Sequence, residues 1–200
     1  MWDQRYSEPG FAYGTEPNDF LREVLPRLQQ LAGRRVLSLG EGEGRNGVFL
    51  AQAGFEVTSV DQSAVGLQKA AALARERGVS VTPVVADLAS YQIAPASWNV
   101  VVSLWCHLPP ALRRSVHAAA ARGLAPGGAL VLEAYTPNQL ELGTGGPRSV
   151  ELLMRLEELK TELAPLEFEI GRELERQVQE GAFHSGRSAV VQVLAFKRAG

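Results

Sequence analysis

The 200-residue sequence has few of the features that mark secreted, membrane-spanning or nucleic-acid-binding proteins. Its single cysteine, Cys106, excludes an intramolecular disulfide and is typical of a reducing compartment. No apolar run approaches the length that crosses a bilayer, and the sequence opens without an apolar signal core. The net charge of −2 indicates no basic surface for nucleic acid or for an anionic membrane. We therefore expect a cytoplasmic protein with no nucleic-acid or membrane partner.

Strand-like apolar runs alternate with helix-like segments from residue 36 onward. A hydrophobic content of 46% over 200 residues is sufficient for one domain with a full core. The alternation predicts a mostly parallel sheet with helices on both faces. We predict strands over 36–39, 56–60, 79–87, 99–106 and 129–135, and helices over 45–53, 63–77 and 110–123. We expect a single domain over 1–200, with a cap segment and helix in 1–30 and the α/β core in 34–200.

The last third departs from this alternation. Leucines at helical spacing predict a helix over 149–163, and the preceding residues 136–147, rich in Gly, Pro and Asn, predict a mobile loop. Two strand-like runs, 166–170 and 189–196, then follow with no helix between them. We expect them to form an antiparallel hairpin with its turn at 180–187. If the first arm runs parallel to the core strands, this turn lies at their carboxyl ends.

A glycine-dense turn between a strand and a helix is the most informative feature of the chain. Gly40, Gly42 and Gly44 follow an apolar strand, and glycine allows positive φ and close approach of a ligand. The next strand ends in Asp61, and an acid at this place can accept hydrogen bonds from a ribose diol. Together these features predict a pocket for an adenosine-containing cofactor.

The glycines alone do not name that cofactor. The dinucleotide pattern G-x-G-x-x-G fits residues 42–47, so a nicotinamide-dependent oxidoreductase is one interpretation. The pattern that begins at Gly40 places Arg45 where close packing of helix and strand favours glycine or alanine. Either glycine lies close to the expected ~20 residues before Asp61, so this spacing does not discriminate. A tight turn without a ligand, or a non-catalytic module that only binds the cofactor, would also fit these glycines.

Further motifs decide between these interpretations. They are Leu-Ser-Leu-Gly-Glu-Gly-Glu-Gly-Arg-Asn at 37–46, Val-Thr-Ser-Val-Asp-Gln at 57–62, Ala-Asp-Leu at 86–88, Trp-Asn-Val-Val-Val-Ser at 98–103 and Leu-Ala-Pro-Gly-Gly at 124–128. With the terminal hairpin, they resemble the class I (Rossmann-like) family of S-adenosylmethionine-dependent methyltransferases over nearly the whole chain. The short length and the Gly-Arg-Asn ending are most similar to the tellurite-resistance and thiopurine methyltransferase-like group. Ser38 and Asn99 depart from the family, which often has aspartate at both places.

The resemblance implies a seven-stranded, mostly parallel sheet with helices on both faces and an antiparallel C-terminal hairpin strand. It implies S-adenosyl-L-methionine as cofactor, S-adenosyl-L-homocysteine as product, and no metal. Asp61 would accept from the ribose hydroxyls, Asp87 with Leu88 would bind the adenine, and Glu41 or Glu43 would bind the cofactor ammonium. The implied cofactor-binding residues are Gly40, Glu41, Gly42, Glu43, Gly44, Arg45, Asn46, Asp61, Gln62, Asp87, Leu88, Leu104 and Tyr13.

The substrate side is predicted from topology, because open α/β sheets bind ligands beyond the carboxyl ends of their strands. Trp105, Tyr135 and Arg148 follow such strand ends and are predicted to bind the substrate. His184 and His107 are candidate general bases, since an unperturbed histidine pKa suits neutral pH. For each histidine the alternative is a loop residue that only forms a hydrogen bond. The expected partner is a small-molecule acceptor (a metalloid oxyanion, a thiol or a thiopurine) in a monomer or weak homodimer.

The N-terminal segment is dense in aromatic residues. Family resemblance suggests that Trp2, Tyr6 and Tyr13 form a lid over the site, which would exclude water and complete it. The alternative is an aromatic flap that packs on the core for stability.

Overall fold

Seven strands form one mixed sheet in the computed structural model, which describes residues 2–181 and 183–199. The strands are β1 (Arg35–Leu39), β2 (Glu56–Asp61), β3 (Thr82–Val85), β4 (Trp98–Leu104), β5 (Leu124–Tyr135), β6 (Leu166–Glu180) and β7 (His184–Lys197). Their order across the sheet is β3-β2-β1-β4-β5-β7-β6. The first five pair in parallel, and β7 is antiparallel to both β5 and β6. The predicted seven-stranded α/β fold is confirmed.

The helices flank this sheet. They are α1 (Trp2–Tyr6), α2 (Asp19–Leu28), α3 (Arg45–Gln52), α4 (Ala64–Glu76), α5 (Pro110–Gly123), α6 (Gln139–Leu142) and α7 (Leu156–Glu162). The short helix α6 lies inside the segment 136–147 that we predicted to be a loop. Among the described residues, no helix combines the length and the apolar character needed to cross a bilayer.

Alternate residues of the central strands serve opposite faces of the sheet. On β1, Leu37 belongs to the apolar cluster of α5 and α7, whereas its neighbour Val36 belongs to that of α2 and α3. Strands covered on both faces have nearly continuous apolar sequences. Because both faces are occupied by the core, polar side chains can gather only where the strands end.

The terminal hairpin is longer than its sequence indicates. We predicted a first arm over 166–170, but β6 extends to Glu180, and residue 182 of the turn lies outside the described residues. The prediction was short because charged side chains recur along 172–180, as they do on edge strands exposed to solvent. Since β7 is antiparallel to both neighbours, β6 runs in the direction of the core strands. Glu180 therefore lies at their carboxyl edge.

The continuous helix predicted over 149–163 is wrong. Residues Val150–Leu152 form one 3-10 turn, and α7 begins only at Leu156. Between them, the backbone N–H of Met154 donates to the carbonyl of Tyr135 at 2.9 Å. This bond to the end of β5 replaces a helical one, and burial of Met154 in the core favours the exchange.

Candidate functional site

The turn after β1 needs glycine for both its conformation and its packing. Gly40, Gly42 and Gly44 have φ of 63°, 63° and 94°, which is the left-handed region that favours glycine. A Cβ on Gly42 would lie 2.7 Å from the hydroxyl of Tyr6, and one on Gly40 would lie 2.9 Å from the sulfur of Cys106. The backbone of the loop is therefore in close contact with Tyr6 and Cys106 at the carboxyl edge of the sheet.

Asp61 closes this surface from the end of β2. One carboxylate oxygen accepts from the N–H of Gly42 at 2.9 Å and the other from the N–H of Ser63 at 2.8 Å. The side chain is 8% exposed, and burial raises the pKa of Asp61. An ionised carboxylate offers about four acceptor positions, so two remain for hydroxyl donors.

The two acids of the loop itself face different neighbours. Glu41 accepts from the N–H of Gly47 at 2.7 Å, its other oxygen has no partner, and burial raises its pKa. It lies between the loop and α3, so it supplies a carboxylate beneath the loop although Ser38 replaces the aspartate of β1. Glu43 instead accepts from the N–H of Ala12 at 2.7 Å and pairs with Lys69 at 2.9 Å. Glu43 thus holds the N-terminal segment.

The remaining residues predicted to bind the cofactor lie along the same edge. Asp87 is exposed and accepts from the N–H of Ala89 at 2.8 Å, Leu88 is half-buried, and Gln62 is exposed. Leu104 is buried at the end of β4. These positions lie at the carboxyl ends of β3, β2 and β4, so the edge continues from the glycine loop to Asp87.

Aromatic rings from four separate segments form the other half of the site. The ring centroid of His184 lies 4.7 Å from Tyr13, 4.9 Å from Trp105 and 5.5 Å from Tyr135. His107 stacks on the far side of Tyr135 at 5.7 Å. We call Tyr13, Trp105, Tyr135 and His184 the aromatic cluster. The structure brings these predicted residues together, whereas Arg148 is exposed on the loop after α6.

Two polar atoms of the aromatic cluster are buried without a hydrogen-bond partner. They are Nδ1 of His184 and the hydroxyl of Tyr135. The ring of His107 is occupied differently, because its Nδ1 lies 2.8 Å from the carbonyl oxygen of Leu152. Buried polar groups normally have partners, so these two atoms are exceptions among the described residues.

Burial also sets the charge of the histidines. It lowers the pKa of His107 to about 4 and that of His184 to about 3. Both imidazoles are therefore neutral at pH 7, and the near-neutral pKa expected for them from sequence is wrong. Their assignment as general bases stays a prediction.

A buried ionic network beside the cluster was missed by sequence reasoning. It contains Glu133 on β5, Arg176 and Glu180 on β6, Asn18 before α2 and Arg45 on α3. Burial raises the pKa of Glu133, while at Glu180 the arginines outweigh burial and lower the pKa. The network was missed because the predicted strand ended at residue 170, so Arg176 and Glu180 were not placed on β6.

Among residues 2–181 and 183–199, no group of three or more His, Cys, Asp or Glu side chains is placed to hold an ion. His117 lies on α5, where its Nδ1 is 2.6 Å from a carboxylate oxygen of Glu162. This position, remote from the sheet edge, fits a structural role.

The sequence and the structure each match known methyltransferases. Residues 36–128 match a family model described as a methyltransferase domain. No curated protein matches the chain. The matched segment contains the glycine loop, Asp61, the Ala-Asp-Leu motif at 86–88 and the turn at 124–128.

Several solved structures share the whole fold. One, described by the conversion of a disulfide bond into a thioacetal group during echinomycin biosynthesis, has a TM-score of 0.77 at 17% identity, over 98% of this chain and 88% of that one. TehB from Haemophilus influenzae has a TM-score of 0.74 at 16% identity, over 98% of this chain and 66% of that one. A SAM-dependent methyltransferase from Methanosarcina mazei has a TM-score of 0.70 at 19% identity. The match covers 88% of this chain and 98% of that one. At these identities the likeness shows the fold.

The protein matches a methyltransferase domain over residues 36–128 and has the α/β fold of the solved methyltransferase structures above. It is an S-adenosylmethionine-dependent enzyme, and S-adenosylmethionine is its cofactor. The residues present fit this group, because Asp61 keeps free acceptor positions at the end of β2, beside a glycine loop on which the Tyr6 ring now packs.

Proposed function

We propose that this enzyme methylates a small-molecule acceptor that binds in the aromatic cluster. The observation that supports this most is the pair of buried, unpartnered atoms, Nδ1 of His184 and the hydroxyl of Tyr135. An acceptor that bonds both atoms removes an unfavourable feature of the protein, since an unsatisfied buried group costs about 1–3 kcal/mol. The cluster also lies near the glycine loop, because Cys106, which follows Trp105, packs on Gly40, and Ala12, which precedes Tyr13, donates to Glu43.

We infer a neutral acceptor, such as a thiol or a thiopurine-like ring, in preference to a metalloid oxyanion. The two arginines beside the cluster, the buried Arg45 and the half-buried Arg176, are already paired with Glu180 and Glu133. Neutral aromatic walls favour a flat or soft group over a hydrated anion. The echinomycin-related structure concerns chemistry at sulfur. The sequence resemblance to the tellurite-resistance and thiopurine group is compatible with this class of acceptor.

The residues of the cluster have separate roles in this reaction. Bound S-adenosylmethionine supplies an electrophilic methyl group, and in-line transfer depends mainly on how the acceptor is positioned. The Tyr135 hydroxyl orients the acceptor, and the neutral His184 imidazole accepts a hydrogen bond from it. Trp105 forms a wall, and Asp61 holds the ribose of the cofactor.

The N-terminal segment is proposed to be a lid over the cofactor. Tyr6 is buried against Gly42 and Gly66, and Asp3 accepts from the hydroxyl of Ser63 at 2.5 Å. A cofactor that lies on the loop displaces the Tyr6 ring. Deletion of residues 1–15 should weaken cofactor binding and leave a cooperative melt, whereas loss of that melt would show a purely structural flap.

The proposed function is tested by ligand-dependent melting and by turnover. S-adenosylhomocysteine should raise the melting temperature, and nicotinamide dinucleotides should not, because only a ligand of the folded state stabilises it. Thiols, thiopurines and metalloid oxyanions are then compared for the formation of S-adenosylhomocysteine. If only metalloid oxyanions are turned over, the proposal of a neutral acceptor is wrong. If S-adenosylhomocysteine binds but no acceptor is turned over, the protein is a non-catalytic module that binds the cofactor.

A further inference from the structure

One buried carboxylate joins four separate elements of the chain. One oxygen of Glu180 accepts from Nη2 of Arg45 at 2.5 Å and from the indole N–H of Trp105 at 2.6 Å. Its other oxygen accepts from Nη2 of Arg176 at 2.9 Å and from Nδ2 of Asn18 at 3.0 Å. Glu180 is 4% exposed, and its bonds to Arg45 and Asn18 are buried, so they are stronger than surface bonds.

The buried charges around Glu180 are paired. Glu133, the second buried acid of the network, accepts from Nε of Arg176 at 2.7 Å and from Nδ2 of Asn18 at 2.9 Å. The two buried acids face Arg45 and Arg176, and the exposed Asp19 also pairs with Arg176 at 3.1 Å. Removal of one acid leaves a buried positive charge without its partner, which is much less favourable than removal of a whole pair.

The first partner, Arg45, connects Glu180 to the cofactor half of the site. Arg45 is the first residue of α3 and directly follows Gly44 of the glycine loop. Its other contact is the carbonyl of Glu16, at 3.3 Å, in the N-terminal segment. The position of Arg45 thus fixes where the loop ends and the helix begins.

The second partner, Trp105, connects Glu180 to the acceptor half. Trp105 has φ of 56°, a conformation that is unfavourable for a bulky residue and persists only where the surroundings impose it. Its backbone N–H donates to the carbonyl of Glu133 at 2.9 Å, and its indole N–H donates to Glu180. These two bonds hold the ring against Tyr135, at a centroid distance of 4.4 Å.

We propose that Glu180 is a positioning residue that holds the glycine loop and the aromatic cluster in register through one shared oxygen. It acts through Arg45 and Trp105. The assignment of the two halves to cofactor and acceptor rests on the proposed function. A change at Arg45 is therefore transmitted to the Trp105 ring, although no hydrogen bond joins these two residues directly.

Glu162 provides a matched control for Glu180. Its side chain is 5% exposed and pairs with Arg113 and His117 between α5 and α7. It is thus a buried acid with two cationic or titratable partners, and it has no bond to the candidate site. Glu180→Gln and Glu162→Gln should both lower the melting temperature.

The two variants should differ in ligand binding and in one NMR signal. Glu180→Gln should weaken the binding of S-adenosylhomocysteine about tenfold in calorimetry, which is the scale of one lost charged hydrogen bond. It should also shift the indole N–H resonance of Trp105. Trp98 supplies an internal reference, because its indole nitrogen has no partner. Glu162→Gln should leave the affinity and the Trp105 resonance unchanged. Wild-type affinity and an unmoved Trp105 resonance in Glu180→Gln overturn the proposal.

A milder variant covers the case in which Glu180→Gln does not fold. Arg45→Lys keeps the charge but alters the bond to Glu180, and it should move the Trp105 indole resonance without touching that ring. An unchanged resonance in Arg45→Lys also overturns the proposal. If the wild-type protein does not bind S-adenosylhomocysteine, the cofactor assignment fails separately, because the NMR comparison needs no ligand.

Discussion

The two halves of the site are built in opposite ways. In the cofactor half, the polar groups of Asp61, Glu41 and the glycine loop bond mainly to one another, and they come from a stretch of about one βαβ unit. In the aromatic cluster, four rings come from the N-terminus, β4, β5 and β7, and two polar atoms stay unpaired. The first half leaves one oxygen of Glu41 without a partner, whereas the second leaves a buried atom on each of two rings.

This difference separates what the fold needs from what the acceptor needs. A self-bonded loop adds to stability whether or not the cofactor is present. Unpaired atoms in the cluster cost stability, and such costs persist at sites that serve function. Substitutions in the cofactor half should therefore lower stability or cofactor affinity, and substitutions in the cluster should act mainly on the acceptor.

The largest effect is expected at Gly44. A Cβ there would lie 2.5 Å from the Cβ of Ala70 on α4, and φ is 94°. Gly44→Ala should lower the free energy of unfolding by about 2–4 kcal/mol through overpacking and strain. Gly54→Ala is the control, since φ is 89° there and no atom lies within 4 Å. If Gly44→Ala and Gly54→Ala lower the free energy of unfolding equally in urea denaturation, backbone strain alone accounts for the effect at Gly44.

The next effect tests the cofactor half through its ligand. Asp61→Ala should lower the affinity for S-adenosylhomocysteine about tenfold to a hundredfold, because a charged hydrogen bond contributes about 1.5–3 kcal/mol. Asp87→Ala should have a smaller effect, since Asp87 is exposed and water screens its interactions. Calorimetry is the measurement, and an unchanged affinity in Asp61→Ala would remove this residue from the site.

The same contrast explains how much the sequence could reveal. Gly40, Gly42 and Asp61 are close in sequence and were placed from local patterns, because turn chemistry and strand ends are local properties. Glu180 could not be recognised, since its role depends on a hairpin whose length was underestimated. The pairing of Met154 with Tyr135, which breaks the predicted helix over 149–163, is likewise a tertiary contact that overrides helical spacing.

Acid titration should distinguish the halves through His184. Burial lowers its pKa from 6.5 to about 3, so the unfolded chain takes up a proton below pH 6.5 while the folded protein does not. Its contribution to stability is thus present above pH 6.5 and lost as the pH falls. Relative to His184→Phe, the wild type should lose about 1–2 kcal/mol between pH 7 and pH 5. Parallel pH curves would show that His184 is accessible to protons in the fold.

The smallest change in stability should come from Tyr135, and its sign is the informative part. Tyr135→Phe removes a buried hydroxyl that has no partner, so the free energy of unfolding should rise by about 1 kcal/mol while acceptor turnover falls. Tyr13→Phe is the matched control, because that hydroxyl accepts from Arg5 at 2.7 Å and its loss should not stabilise. A fall in stability on Tyr135→Phe would mean that the hydroxyl already has a partner in the free protein. The cluster would then be as self-contained as the glycine loop, and the contrast between the two halves would disappear.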